Sequence, residues 1–138
     1  MTKNIPKIQK ELPTFSLNDG QFLFDTTNSG DGFIVGRSRE TFNLLPKKGI
    51  NLPGSVYDED LQFQIYKRFI GQIEGLEING LGLSFVQTGD LVSKLKKIVP
   101  NLVLISKIEN SEGLRNCEEI SNISDAIMID RGDLVAEI

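Results

Sequence analysis

Lys107-Ile-Glu-Asn-Ser-Glu-Gly113 and Ser124-Asp-Ala-Ile-Met-Ile-Asp-Arg-Gly-Asp-Leu134 are the two stretches that decide how this chain folds. In each, a short apolar run ends in charge. Leu102 to Ile105 reads as a β-strand that delivers Lys107 and Glu109. Ala126 to Ile129 reads as another, which delivers Asp130, Arg131 and Asp133. Acids and a lysine at the ends of neighbouring parallel strands can hold a divalent metal and a phosphate. Carboxylate oxygens suit Mg²⁺, which keeps several waters and takes few protein ligands, and the ammonium balances phosphate charge. The same spacing also fits two plain βα turns carrying solvated charged residues.

Working outward, the βα alternation repeats. Asp58 reads as an N-cap, with Glu59 and Asp60 favourable in the first turn of a helix. Leu61, Ile65, Tyr66, Phe69, Ile70 and Ile73 form its apolar stripe, and Gly71 and Gly75 weaken its end. Leu81 to Val86 is a strand. Thr88 caps a second helix bearing Leu91, Val92, Leu95 and Ile98, which Pro100 stops. Ser111 is expected to cap a third helix running to about Ile123. Strand starts recur at about 22-residue intervals, the mark of a βα repeat, and right-handed crossovers then make the sheet parallel.

The first part of the chain is different. Residues 1–12 are polar apart from a few apolar residues, include Lys3, Lys7 and Lys10, and read as a loosely ordered lead-in. From Thr14 to Leu45 the pattern is β. Phe15 and Leu17 alternate, Asn18-Asp-Gly20 turns the chain, and Phe22 and Phe24 share a face. Asn28-Ser-Gly-Asp-Gly32 is the next turn. Phe33 to Val35 and Phe42 to Leu45 read as further strands. Gly30-x-Gly32 is a turn rather than a phosphate loop, since no helix follows it. Pro46 to Pro53 is the connector. Lys47 and Lys48 in it can meet a phosphate or form a solvated basic turn.

Composition excludes several function classes. The formal charge is −4, which argues against general affinity for nucleic acid. The chain has no His, so imidazole acid–base chemistry and His-ligated zinc are out, and proton transfer falls to Lys, Asp, Glu or water. Cys117 is the one cysteine, so no disulfide forms within the chain and no CxxC metal site exists. With Leu114 and Ile120 at i±3, its expected role is packing. The N-terminus lacks a signal pattern and no apolar run approaches the length of a membrane span, which reads as a cytoplasmic protein without a membrane partner.

Lys107-Ile-Glu-Asn-x-Glu-Gly113 followed by Ser124-Asp-x-Ile-Met-x-x-Arg-Gly-Asp-Leu134 resembles the active-site region of pyruvate kinase. The separation of Glu109 from Asp133 fits that family. Lys47-Lys-Gly-Ile-Asn-Leu-Pro-Gly54 resembles its junction between small β domain and barrel, and Ser84-Phe-Val86 the end of the next barrel strand. The resemblance runs from about Phe15 to Ile138 and covers the middle of a full-length member. It implies an α/β fold in which residues 1–50 form part of a small β subdomain and residues 51–138 part of a TIM-type (β/α) barrel. It also implies phosphoryl transfer between phosphoenolpyruvate and ADP, giving pyruvate and ATP. Lys107 would neutralise the phosphoryl in flight. Glu109 and Asp133 would ligate Mg²⁺ or Mn²⁺. The backbone N–H groups of Arg131, Gly132 and Asp133 would receive the substrate carboxylate. Ser84 would lie near a K⁺ site, and Lys48 would close over the nucleotide phosphates.

The chain also departs from that pattern. Asp130 stands where the family has a small alanine. Pointing inward, it repels an anionic substrate, by roughly 4 kcal/mol at about 4 Å and an effective dielectric near 20; pointing outward, it pairs with Arg131 or a lysine. Val135 replaces a glycine and Gln87 a basic residue. The family's early barrel strands, with residues for K⁺ and nucleotide, have no counterpart. Three strands and three helices fall short of the eight βα units of a closed barrel, leaving bare apolar faces and sheet edges. That predicts a homo-oligomer, or completion by further segments, and weak or no activity for 138 residues alone. A non-catalytic protein that binds metal and a small anion, and a structural piece of a larger assembly, are the other functional classes.

Overall fold

Aromatic alternation builds the first sheet. In the computed structural model, which describes residues 12–30 and 33–137, β1 (Thr14–Leu17), β2 (Phe22–Gly30), β3 (Phe33–Ser38) and β4 (Ile50–Asn51) form an antiparallel sheet in the order β3-β2-β1-β4. The lead-in over residues 1–11 and the turn residues Asp31 and Gly32 lie outside the described residues. The first hairpin closes where the sequence places it, with Asn18, Asp19 and Gly20 at φ 56°, 56° and 83°. Asn, Asp and Gly are the residues that tolerate this left-handed region at least cost. Phe15 stacks on Phe24 at 4.9 Å between ring centroids, and with Leu52 they make a small core.

Two readings of this region need correction. Asn28, Ser29 and Gly30 do not turn but continue β2, paired with Val35, Ile34 and Phe33. Phe42 to Leu45 is not a strand. Phe42 instead packs its ring on Phe22 (4.7 Å) and edge-on to Phe24 (5.4 Å), while Leu44 and Leu45 stay exposed. The place beside β1 is taken by β4, whose Ile50 and Asn51 pair with Leu17 and Ser16. The last strand of the small sheet therefore lies across residues 50 and 51.

The second part is the expected βα repeat: α1 (Glu59–Gln72), β5 (Gly80–Leu83), α2 (Gly89–Ile98), β6 (Val103–Ile108), α3 (Ser111–Arg115), α4 (Cys117–Ile123), β7 (Ala126–Ile129) and α5 (Arg131–Glu137). Its three strands run parallel in the order β5-β6-β7. β6 is central, so its alternation is strict. Leu104, Ser106 and Ile108 are buried on the helix side, together with Leu83, Val86, Leu91, Val92, Leu95 and Ile120. The opposite register sends Lys107 to the other face. The edge strand β7 is exposed throughout, with Ile127, Met128 and Ile129 between 39% and 50% exposed. Among the described residues no helix is long and apolar enough to cross a membrane.

The helices differ from their sequence pattern in detail. Asp58 and Thr88 cap α1 and α2 as expected, their side chains accepting from Leu61 N and Leu91 N. On α1, Leu61 and Phe69 face solvent, while Phe63, Tyr66 and Ile70 pack inward and Gln62 is buried. Gln62 is drawn in because its Nε2 donates to the carbonyls of Ser84 (3.0 Å) and Phe85 (2.9 Å) at the end of β5. The third helix is capped by Asn110, not Ser111, and breaks at Asn116. Asn116 donates from Nδ2 to the Gln87 carbonyl at 2.8 Å, which anchors the break to the preceding loop. Cys117 is half-buried against the core.

Gln87 holds the strand ends together. It is 2% exposed. Its Oε1 accepts from Tyr57 N at 2.8 Å and Asn110 Nδ2 at 3.1 Å, and its Nε2 donates to Tyr57 O at 3.0 Å. One amide thus ties the segment before α1 to the turn after β6. Gln87→Ala should lower unfolding free energy by at least about 2 kcal/mol, because buried polar groups lose their partner; urea denaturation measures it. Asp125 gives a pH prediction. The Leu104 N–H (2.8 Å), and after it Lys96 (2.8 Å), hold its carboxyl below its ordinary value. A depressed folded pKa contributes stability above the unfolded value and loses it as pH falls through the folded one. Acid unfolding of Asp125→Asn should therefore depend less on pH below about 4 than that of wild type.

Candidate functional site

The site forms where β5, β6 and β7 end. Strand alternation places Ile108 in the core and leaves Lys107 and, just past the strand, Glu109 for the ends of the sheet. Glu109 is 2% exposed. Its Oε2 accepts the Phe85 N–H at 2.5 Å and its Oε1 the ammonium of Lys107. Phe85 sits at φ 53°, a left-handed conformation uncommon for a bulky residue, and β5 ends at Leu83, three residues earlier than the apolar run implied. That turn is where the amide meeting Glu109 arises.

β7 brings the other acids. Asp130 N donates to Ile108 O at 3.0 Å, so β6–β7 pairing continues into the site. Asp130 Oδ2 lies 3.2 Å from Lys107 Nζ. Asp133, on the first turn of α5, accepts from Asn51 Nδ2 at 3.2 Å through Oδ1. Carboxylate oxygens of Glu109, Asp130 and Asp133 all lie within 4.8 Å of one another. The structure thus joins Lys107, Glu109, Asp130 and Asp133 in one cluster, with Asp130 inward and paired to the lysine.

The electrostatics differ from acid to acid. Burial pushes the Glu109 carboxyl up, against the lowering by Lys107 and the Phe85 N–H. Burial likewise raises Asp133, opposed chiefly by Asn51. Asp130 goes down, because Lys107 hydrogen-bonds it, with a further contribution from the Gly132 N–H. Lys107 goes up, held charged first by Glu109 and then by Asp130. A hard-oxygen donor set this close fits Mg²⁺ or Mn²⁺, which take carboxylate oxygens and keep waters.

The remaining expected residues lie around this centre. Arg131 is exposed at the start of α5. A Cβ on Gly132 would meet only Asp130 Oδ1, at 3.5 Å, so packing among the described residues does not demand glycine there. Ser84 is exposed, and its carbonyl takes the Tyr66 hydroxyl at 2.6 Å. Lys48 is exposed on the connector before β4. Sequence reasoning missed the Phe85 amide, Asn51 and Tyr66. Tyr66 lies near enough for Glu109's charge, after burial, to push its hydroxyl up. No local pattern marks these residues; Asn51 and Asp133, for example, are 82 positions apart. A cleft of about 490 Å³ opens beside Phe85 between α1 and β5, lined by Tyr57, Gln62, Tyr66, Phe69 and Leu83, without the charged cluster.

The family model described as the pyruvate kinase barrel domain matches residues 2–138. A cytosolic pyruvate kinase isozyme of Glycine max is 35% identical over 143 residues, covering 99% of this chain and 28% of the relative. A pyruvate kinase of Thermotoga maritima is 30% identical over 145 residues, covering 98% and 30%. The crystal structure of a pyruvate kinase from Cryptosporidium parvum superposes with a TM-score of 0.73 at 30% identity, covering 97% of this chain and 30% of that one. The chain thus spans under a third of the length of these relatives.

Two glycines in the quoted motifs should respond differently to a methyl group. A Cβ on Gly113 would run into the Val86 carbonyl oxygen, a backbone atom that cannot swing aside. Gly113→Ala should cost roughly 1–3 kcal/mol. Gly132→Ala should stay within about 1 kcal/mol of wild type. Thermal denaturation of both variants checks the pair.

Proposed function

The chain belongs to the pyruvate kinase family, and we propose on that footing that its Lys107–Glu109–Asp133 cluster serves Mg²⁺-dependent phosphoryl transfer between phosphoenolpyruvate and ADP. The observation that carries this is the cluster itself: one ammonium against carboxylates within 4.8 Å, at the ends of adjacent parallel strands. Glu109 and Asp133 would hold Mg²⁺ or Mn²⁺, with Phe85 N–H and Asn51 fixing their orientation. The metal supplies charge neutralisation to the phosphoryl oxygens. Lys107, which now contacts Glu109 and Asp130, would add its positive charge to the transferred phosphoryl. Arg131, Gly132 and Asp133 would present backbone N–H groups to the substrate carboxylate. Ser84 would lie near K⁺, and Lys48 would meet nucleotide phosphates from the connector.

The same reading takes residues 1–50 as a small β subdomain and 51–138 as barrel. It places the protein in the cytoplasm, in keeping with the name of the soybean relative. The exposed Ile127, Met128 and Ile129 on β7 support assembly, as a homo-oligomer or with further barrel segments. A second reading, a site that holds metal and a small anion without turnover, is favoured by one observation: Asp130 already occupies Lys107.

Mg²⁺ or Mn²⁺ should raise the melting temperature, and Asp133→Asn should abolish the rise. Equal shifts in the two proteins would remove the metal site and leave a structural or interaction role. A coupled assay for ATP formed from phosphoenolpyruvate and ADP separates the kinase from the non-catalytic binder.

A further inference from the structure

We propose that Asp130 is the built-in counter-ion of Lys107 and sets the site's preference for a divalent cation over a small anion, an inference that rests on the metal-and-anion reading of the cluster. The Lys107 ammonium is shared by two carboxylates, those of Glu109 and Asp130. They are not equivalent. Glu109 is buried and fastened by the Phe85 N–H as well. Asp130 has 31% of its side chain exposed and is held by the lysine at 3.2 Å. An anion entering this cluster would look for the same ammonium. Asp130 already occupies it from within the chain.

The charge balance points the same way. Three carboxylates gather around one ammonium. The cluster as it stands attracts a divalent cation, which brings it to neutrality, and repels an anion. With a neutral side chain at 130, Lys107 keeps only Glu109, and an anion bound beside the metal meets one negative charge fewer. Removing the charge of Asp130 therefore moves the two ligand classes in opposite directions. A side chain that merely supports the fold would move both the same way, or neither.

The test is calorimetry of the 138-residue chain in wild-type form and as Asp130→Asn, Asp130→Ala and Asp130→Glu. Mn²⁺ is titrated first, then oxalate at saturating Mn²⁺. Asp130→Asn and Asp130→Ala should bind Mn²⁺ more weakly and oxalate roughly ten- to a hundredfold more tightly. Each factor of ten is 1.4 kcal/mol. Asp130→Glu, which keeps the charge, should behave as wild type. Oxalate affinity that is the same in all four proteins, including none measurable in any, overturns the proposal, as does weaker binding by Asp130→Asn. Failure of the metal reading shows separately, as Mn²⁺ binding absent from wild type. The oxalate titration is then made without metal and judged by the same tenfold criterion.

Discussion

A carboxylate buried at the end of the central strand is the constraint around which the rest of this structure is arranged. Glu109 is 2% exposed, and a charge taken out of water must find close partners or lose its ionisation. It finds two, the Phe85 N–H and the Lys107 ammonium. Burial still outweighs them and leaves its pKa raised. Each partner imposes a condition on its own element. Phe85 takes a left-handed turn that ends β5 at Leu83. Lys107 must keep its position on the face of β6 away from the helices, which the burial of Leu104, Ser106 and Ile108 enforces.

The loops around this carboxylate are held by amides as well as by apolar contacts, such as the Tyr57 ring against Phe85 and the buried Val86. Gln62 reaches from α1 to the carbonyls of Ser84 and Phe85, Gln87 clamps Tyr57 and Asn110, and Asn116 closes on the Gln87 carbonyl. Side-chain amides both donate and accept, so one residue can satisfy several backbone groups where strands end and ladder bonds stop. This explains why Gln87 sits buried. In this chain it is a structural brace beneath the cluster.

The small sheet enters the site through one strand. β4 pairs with β1 and, from the same short segment, Asn51 donates to Asp133 on α5. The acid raised by burial is thereby oriented from the other half of the chain. Gly20 and Ala136 also approach closely, since a Cβ on Gly20 would lie 3.4 Å from that of Ala136. The antiparallel and parallel units therefore share the site's rim, although each has its own core.

By itself the sequence determined the class of fold, the βα repeat, the caps at Asp58 and Thr88, and the grouping of Lys107, Glu109 and Asp133. The first three follow from short-range signals, since apolar runs, turn residues and caps act over a few positions; the grouping rests on the likeness of the Lys107–Gly113 and Ser124–Leu134 motifs to those of a known family. It also singled out Asp130 but left its direction open. Only the tertiary structure decided that, because the choice depends on where the β6–β7 register puts Asp130 relative to Lys107. The same holds for Phe42, which reads as a strand residue but whose ring is drawn onto Phe22 and Phe24. It holds too for Gln62, polar in sequence and buried in the fold. In each case the deciding partner is distant along the chain, and pairing with a distant residue leaves no periodicity for the sequence to display.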